Sequence, residues 1–195
     1  MTDESFWGSF YTERDRVWSG RPNAVLAREV AALTPSTALD LGCGEGADAV
    51  WLAARGWRVT AVDISGVALA RAAAHAAEAG VADRIDFRRA DLDTDFPAGR
   101  FDLVTAQFLP REKVLRAAAD AVAPDGVLLI EGHLIQEQPG HWHHDVRFPT
   151  PEDVVTMLGL DSGEWELLRA DRHAGAHDIP EAPRDSTVMA RRRVS

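Results

Sequence analysis

The feature that most constrains this chain is the stretch LDLGCGEGADAV at residues 39–50, where three glycines separate an apolar run from a helix-like pattern. Glycine turns sharply at positive φ, and its missing side chain lets a ligand lie against the main chain. The apolar run TALDL, just before the glycines, predicts a buried strand that leads into a ligand-binding loop. The spacing fits two patterns, because Gly42 and Gly44 can be followed either by Ala47, as in G-x-G-x-x-G/A of dinucleotide sites, or by Gly46 in a tighter G-x-G-x-G.

Strand-like and helix-like patterns alternate through the first two thirds of the chain. Five strands are predicted at residues 37–41, 57–65, 84–92, 101–108 and 127–133. Helices are predicted at residues 46–56, at 67–80 with Ser65 as the cap, and at 111–124, where Pro124 is expected to stop the helix. This βαβ order predicts a mostly parallel sheet with helices on both faces.

The pattern changes after residue 133. Thr150 followed by Pro151 predicts the start of a helix that ends near Gly159. Two β-like runs at residues 164–173 and 186–193 have only a loop between them, which is too little for a parallel crossover. They are therefore predicted to form an antiparallel pair at the sheet edge, which gives seven strands in total.

Composition excludes several functional classes. A chain of 195 residues predicts one domain over residues 1–195, and no apolar run is long enough to span a bilayer. The start MTDESFWGSF resembles no secretory signal and one cysteine cannot form an internal disulfide, so a cytoplasmic location is expected. The net charge of −10 argues against a nucleic-acid surface and favours small-molecule partners. Monomer and homodimer both stay open.

Several blocks together resemble the class I S-adenosylmethionine-dependent methyltransferases. These are ALDLGCGEG at the first strand, VTAVDIS at the second, RADLDTDFPAGRFDLV before and within the fourth, and APDGVLLIEG at the fifth. The resemblance implies a Rossmann-like core over residues 36–195 and S-adenosylmethionine as the cofactor, with S-adenosylhomocysteine as its product. Within the family, the chain is most similar to small-molecule enzymes of the tellurite-resistance and thiopurine group.

The resemblance also implies a cofactor site. Asp40 would bind the ammonium group, and Asp63, at the end of the second strand, would accept hydrogen bonds from the ribose hydroxyls. The rest of the implied site comprises Gly42, Cys43 and Gly44 beside the methionine end, Ile64, Asp91 and Leu92 around the adenine, and Gln107 near the methyl group. Cys43 is expected to act as a small packing residue, and Asp40 and Asp91 have the alternative of a cap or turn role.

The N-terminal stretch FWGSFYTERDRVWSGRPN is rich in aromatic residues and has two interpretations. It can dock as a helix on the body of the protein. Alternatively, by similarity to the small methyltransferases, residues 1–30 form a lid over the cofactor, with Trp18 and Arg21 as cofactor-binding candidates beside Pro22 and Asn23. A lid excludes water from the reacting groups.

The segment EGHLIQEQPGHWHHDVRF, after the fifth strand, is where the family varies to contact acceptors. His133 and His143 are candidate bases, and Arg147 is a candidate anion anchor. The histidines at 141, 143 and 144 also suggest a metal site, but neighbouring residues of an extended loop point opposite ways and no metal is predicted. A thiol, chalcogen oxyanion, phenol or amine is the expected acceptor, and QFLP after the fourth strand argues against adenine-N6 and amide methylation. The alternatives are a non-catalytic cofactor-binding protein and an NAD(P)-dependent oxidoreductase.

Overall fold

The structure is a computed structural model that describes residues 4–15, 17, 19–133, 149–173 and 185–194. The described strands are β1 Thr37–Leu41, β2 Arg58–Asp63, β3 Ile85–Arg89, β4 Phe101–Gln107, β5 Val122–His133, β6 Trp165–His173 and β7 Asp185–Arg192. The described helices are α1 Glu4–Thr12, α2 Ala24–Val30, α3 Ala47–Ala54, α4 Gly66–Glu78, α5 Glu112–Asp120 and α6 Pro151–Leu158, with a 3-10 turn at Ala82–Arg84. Strands and helices alternate from β1 to β5 apart from the link between β3 and β4.

The seven strands form one sheet in the order β3-β2-β1-β4-β5-β7-β6. β1 pairs with β2 and β2 with β3 in parallel, whereas β7 is antiparallel to both β5 and β6. This confirms the predicted fold class, including the antiparallel C-terminal pair at the sheet edge. The chain forms two compact units, Met1–Phe101 and Asp102–Ser195. A single domain over residues 1–195 stays a prediction.

In the first unit, short alanine-rich helices pack on a buried strand layer. Leu39 and Leu41 of β1 and Val62 of β2 are fully buried, as a near-continuous apolar run in a parallel sheet requires. The helix α4 begins where the Ser65 hydroxyl accepts the Ala68 N–H at 3.3 Å, so the predicted cap is confirmed. These elements hold the loops that follow β1 and β2.

In the second unit, the helix α5 ends at Asp120, so the prediction that it continues to Pro124 was wrong. A residue before proline is disfavoured in the helical region, which requires the helix to end before Ala123. Val122 is fully buried and begins β5 instead. The wrong boundary arose because the alanine-rich pattern continues past the true end of the helix.

The helix α6 begins at the predicted place. The Thr150 hydroxyl accepts the Asp153 N–H at 3.2 Å and the Asp153 carboxylate accepts the Thr150 N–H at 3.0 Å, which is a capping box with Pro151 in the first turn. Gly159 follows the helix with φ 64°. Among the described residues, every helix is too short or too polar to cross a membrane.

Candidate functional site

The glycine loop between β1 and α3 has a conformation that only glycine adopts easily. Gly42, Gly44 and Gly46 have φ values of 72°, 54° and 81°. The N–H of Gly42 donates to the Val62 carbonyl at 2.8 Å, which fixes the loop against the end of β2. A Cβ on Gly46 would lie 2.7 Å from the Ala72 Cβ, closer than two carbon atoms can approach. The loop therefore needs glycine for both backbone and packing reasons.

Asp63 joins this loop to the next helix. Its Oδ2 accepts the Gly44 N–H at 2.9 Å and its Oδ1 accepts the Ser65 N–H at 2.8 Å. Burial raises the pKa of the Asp63 carboxyl, and the backbone hydrogen bonds, including those from Ser65 and Gly44, oppose that rise. An ionised carboxylate has about four acceptor positions, so these two bonds leave capacity for ligand hydroxyls.

Asp40, the fourth residue of β1, is an unusual buried acid. Asp40 is only 2% exposed, and its Oδ2 has no hydrogen-bond partner among the described residues. Burial raises the pKa of Asp40 well above its usual value, and the nearby charges of Asp48 and Asp63 raise it further. A buried acceptor of this kind costs free energy unless a ligand supplies a donor.

Asp48, in the first turn of α3, completes a group of three carboxylates. Its Oδ1 accepts the Asn23 N–H at 2.6 Å. Burial raises the pKa of Asp48 to about 6, although that hydrogen bond lowers it. Three such acids around one glycine loop create an environment that favours a positively charged ligand.

Cys43 lies within this acidic environment. Burial, followed by the charges of Asp40 and Asp63, raises the pKa of the Cys43 thiol well above its usual value. Because the thiolate is the reactive form of cysteine, this environment keeps Cys43 unreactive at neutral pH. A packing role in the loop is the interpretation that fits.

The aromatic N-terminal segment docks on α4. Phe10 and Tyr11 of α1 are buried in a cluster with Ala68, which supports the docked-helix interpretation for this part of the segment. Arg71 of α4 donates to the Tyr11 carbonyl at 2.8 Å and to the carboxylate of the buried Glu45 at 2.8 Å.

The residues after α1 approach the glycine loop. The Val17 N–H lies 3.4 Å from both carboxylate oxygens of Glu45. Asn23 has two roles, because its N–H donates to Asp48 while its side chain caps α2. Arg21 is exposed, and its N–H donates to the Ser19 hydroxyl at 3.2 Å. Trp18 lies outside the described residues, so its lid role stays a prediction.

The proposed adenine-binding residues follow β2 and β3. The Asp91 carboxylate accepts the Asp93 N–H at 3.0 Å, and the Asp91 carbonyl accepts the Thr94 N–H at 2.9 Å, so Asp91 builds a turn. Leu92 is buried and Ile64 is half-buried. The bond from Asp93 uses one oxygen of the Asp91 carboxylate. The adenine contacts of Asp91, Leu92 and Ile64 stay predictions.

In the second unit, Gln107 ends β4 and is followed by a residue with left-handed backbone. The Gln107 amide donates to the Thr105 hydroxyl at 2.6 Å, while its Oε1 is buried with no hydrogen-bond partner in the part of the chain that the structure describes. Phe108 has φ 56°, and its N–H donates to the Glu131 carbonyl at 2.8 Å. The Phe108 ring stacks on His133 at a centroid distance of 4.2 Å.

His133 is paired with an acid that sequence reasoning missed. Its Nδ1 lies 2.8 Å from Oδ1 of Asp185, the first residue of β7, directly opposite His133 in the strand register. His173 of β6 stands opposite Asp185 on its other side, so His133, Asp185 and His173 form one row across three neighbouring strands. The Nε2 of His173 lies 2.9 Å from the Thr187 hydroxyl. The signal available in the sequence was an acid at the start of the last strand. His143 and Arg147 lie outside the described residues, as do His141 and His144.

Glu131, His173 and Asp185 have polar atoms that all lie within 4.8 Å of one another. Asp185 already accepts from His133, and His173 pairs with Thr187. We therefore interpret this group as a hydrogen-bonded network.

Comparison with known proteins identifies the class of domain. Residues 38–126 match the family model described as a methyltransferase domain. The trans-aconitate 2-methyltransferase of Streptomyces avermitilis is 33% identical over 178 residues, which cover 75% of this chain and 66% of the relative. The ubiquinone biosynthesis O-methyltransferase of Chromobacterium violaceum is 38% identical over 169 residues, which cover 74% of this chain and 66% of that protein. The chain thus spans slightly less than two thirds of the length of both relatives.

A solved structure supports the fold over nearly the whole chain. TehB from Haemophilus influenzae is similar with a TM-score of 0.70 and 15% identity, and the match covers 97% of this chain and 67% of TehB. Together, these comparisons support the predicted class of domain. They leave the acceptor and the subgroup open.

Proposed function

Because residues 38–126 form a methyltransferase domain, we propose that this chain transfers the methyl group of S-adenosylmethionine to a small-molecule acceptor. The observation that carries the proposal is the unpartnered Oδ2 of buried Asp40 beside the charges of Asp48 and Asp63. S-adenosylmethionine carries a positively charged sulfonium and an ammonium group. A cation with hydrogen-bond donors would satisfy Asp40 and offset the repulsion among the acids.

The cofactor residues divide by the chemistry that each can offer. Asp40 would accept from the ammonium group, and Asp63 would accept from the ribose hydroxyls with its remaining acceptor positions. The rest of the proposed cofactor set is Gly42, Cys43 and Gly44 at the methionine end, Ile64, Asp91 and Leu92 at the adenine, Gln107 near the methyl group, and Trp18 and Arg21 in the lid. The bond between Asn23 and Asp48 supports the lid, because it ties the N-terminal segment to the first turn of α3, directly after the glycine loop.

The acceptor side is proposed to include His133, His143 and Arg147, with His133 at the carboxyl end of β5. Ligands of open α/β sheets bind beyond the carboxyl ends of the strands. When bound, S-adenosylmethionine supplies an electrophilic methyl group on a charged sulfur. The residues of this chain then act by orienting the acceptor in line with that methyl group and by excluding water. We assign the chain to the tellurite-resistance and thiopurine group on its sequence resemblance, while the likeness to TehB supports the fold alone.

The experiment that tests this function compares two ligands that differ at the amino-acid end. S-adenosylhomocysteine has the ammonium group, whereas 5′-methylthioadenosine lacks it. Asp40→Asn should weaken binding of S-adenosylhomocysteine at least tenfold in isothermal titration and change binding of methylthioadenosine less than threefold. The exposed Asp83→Asn variant is the matched control and should change neither constant.

Three results would contradict the proposal. Equal losses for the two ligands in Asp40→Asn would remove Asp40 from the ammonium site. Binding of NAD in place of S-adenosylhomocysteine would favour the oxidoreductase alternative. Tight cofactor binding without transfer of a labelled methyl group to any of a panel of thiols, phenols, amines and chalcogen oxyanions would identify a non-catalytic binding protein.

A further inference from the structure

The pairing of His133 with Asp185 has the geometry of a base and its orienting acid. The side chain of Asp185 is 7% exposed and that of His133 is 32% exposed, so the acid lies beneath a ring that solvent can reach. An ionised carboxylate accepts hydrogen bonds and cannot donate them. Asp185 at 2.8 Å therefore selects the tautomer in which Nδ1 of His133 carries the proton. In that neutral tautomer, Nε2 holds the lone pair.

Two features fix the plane of the imidazole ring. The Phe108 ring stacks on it with an interplanar angle of 24°, and Phe108 is itself anchored by its N–H bond to the Glu131 carbonyl. The strand register places Asp185 directly opposite His133, so the acid comes from a paired strand rather than from a loop. A ring held by stacking on one face and by a buried hydrogen bond at one edge loses little orientational freedom when it accepts a proton.

The charged neighbours of His133 among the described residues are compatible with proton uptake. Asp185 faces it from β7, Glu131 lies two residues earlier on the same strand, and His173 occupies the same row on β6. His173 is 2.9 Å from Thr187 and 3.7 Å from the Glu131 carboxylate, so it has partners other than Asp185. Two acids and one further histidine therefore lie around His133 among the described residues.

We infer that His133 is the general base of the reaction, that Asp185 is its positioning residue, and that the acceptor is a neutral O–H group of the phenol class. This inference rests on the proposed methyl transfer. Thiols and chalcogen oxyanions can arrive already ionised and need no base, whereas a phenol, like the tyrosine side chain, ionises only near a pKa of about 10. A built base is therefore evidence for an acceptor that must lose its proton during the reaction.

The atoms and charges of the step balance. The acceptor oxygen forms a bond to the methyl carbon while the bond from that carbon to sulfur breaks, and its electron pair stays on sulfur to give neutral S-adenosylhomocysteine. The acceptor proton moves to Nε2 of His133 and leaves later to solvent. Asp185 stays ionised and stabilises the transient imidazolium.

The first test does not depend on knowing the acceptor. Long-range ¹H–¹⁵N correlation spectra of the full chain, labelled at histidine and assigned with His133→Gln, report which ring nitrogen carries the proton. We expect the Nδ1–H tautomer for His133 in the native chain. In Asp185→Asn the new amide can donate to Nδ1, so the proton should move to Nε2. An Nε2–H tautomer in the native chain would overturn the inference.

The second test uses a matched pair of probe acceptors, 4-methylphenol and 4-methylbenzenethiol, at pH 8. His133→Gln should lower kcat/KM for the phenol about 100-fold or more and for the thiol less than threefold, since the thiol is largely ionised. Asp185→Asn should lower the phenol rate at least tenfold. The acid limb of the pH profile for the phenol should disappear in His133→Gln.

His173→Gln is the control, because it sits in the same row and leaves the pair of His133 with Asp185 intact. It should keep both rates within threefold. Equal losses for the two probes, or a loss in His173→Gln as large as that in His133→Gln, would overturn the inference, as would activity that a chelator removes and zinc restores. Titration with S-adenosylhomocysteine separates the two proposals: unchanged affinity in His133→Gln is expected, whereas a native chain that fails to bind it refutes the proposed function itself.

Discussion

Replacing Asp48 by asparagine should make the protein without cofactor more stable. Burial raises the pKa of Asp48 from its usual 3.8 to about 6. A carboxyl group with a higher pKa in the folded state binds protons more tightly there than in the unfolded chain. The stabilisation that Asp48 gives the folded state is therefore present below about pH 4 and is lost as pH rises from about 4 to 6. Above that window, the folded state carries the full cost of an ionised Asp48.

The size of the effect follows from that difference in pKa. One pKa unit corresponds to about 1.4 kcal/mol, so the ionised Asp48 costs the folded state about 2 to 3 kcal/mol. Asparagine is almost the same size and keeps an oxygen that can accept the Asn23 N–H. Asp48→Asn should therefore raise the free energy of unfolding by about 2 to 3 kcal/mol at pH 7.5 and by close to zero at pH 4.

Urea unfolding of both proteins at fixed ionic strength, in steps from pH 4 to pH 8, measures this difference. Taking the difference between variant and native chain cancels the contribution of Asp63, while relief of the repulsion between Asp48 and Asp40 adds to the gain of the variant above pH 4. Asp83→Asn, at an exposed position, should show no gain at any pH. A gain from Asp48→Asn that is the same at pH 4 and pH 7.5, or a loss at pH 7.5, would refute the reasoning.

Three further predictions test other parts of the first unit. Asp63→Ala should weaken S-adenosylmethionine binding by about 1.5 to 3 kcal/mol in isothermal titration, because it removes a charged acceptor; unchanged affinity in a folded variant would exclude Asp63 from the site. Gly46→Ala should destabilise the chain by several kcal/mol more than Gly80→Ala in urea unfolding, because both have positive φ but only the first places a Cβ against Ala72; equal losses would mean that the loop relaxes freely. Cofactor binding at pH 6 should release protons, so its measured enthalpy should vary with the ionisation enthalpy of the buffer, and buffer-independent enthalpies would contradict the acidic site.

The cofactor half of the site was predictable because its chemistry is local in sequence. Asp40 lies within β1, the loop glycines follow directly after that strand, and Asp63 is the last residue of β2. Parallel pairing of adjacent strands then brings Asp63 to the Gly44 N–H. The sequence did not reveal that both Asp63 oxygens accept backbone N–H groups, since those bonds depend on the detailed path of the loop.

The acceptor half could not be predicted in the same way. His133 was a candidate from its position at the end of β5, but Asp185 lies 52 residues further along the chain. Their contact depends on which residues of β5 and β7 stand opposite each other, and a shift of one residue would place the acid on the other face of the sheet. The docking of α1 on α4 is long-range in the same sense, and the sequence left both interpretations of the N-terminal segment open.

The buried acids connect stability to binding. In the chain without a ligand, Asp40 has an unsatisfied oxygen, and the pKa values of Asp40, Asp48 and Asp63 are all raised. Each raised pKa is a cost to the folded state at neutral pH, and a bound cation removes part of that cost because it favours the ionised forms. The same groups that weaken the empty protein therefore strengthen the complex, and a ligand that binds only the folded state stabilises it further by mass action. Neutralising substitutions at Asp40 and Asp48 should thus raise stability and lower cofactor affinity together, whereas a substitution at an exposed acid such as Asp83 should do neither. Asp63 differs because both of its oxygens accept backbone N–H groups, which a neutral side chain would leave without an acceptor.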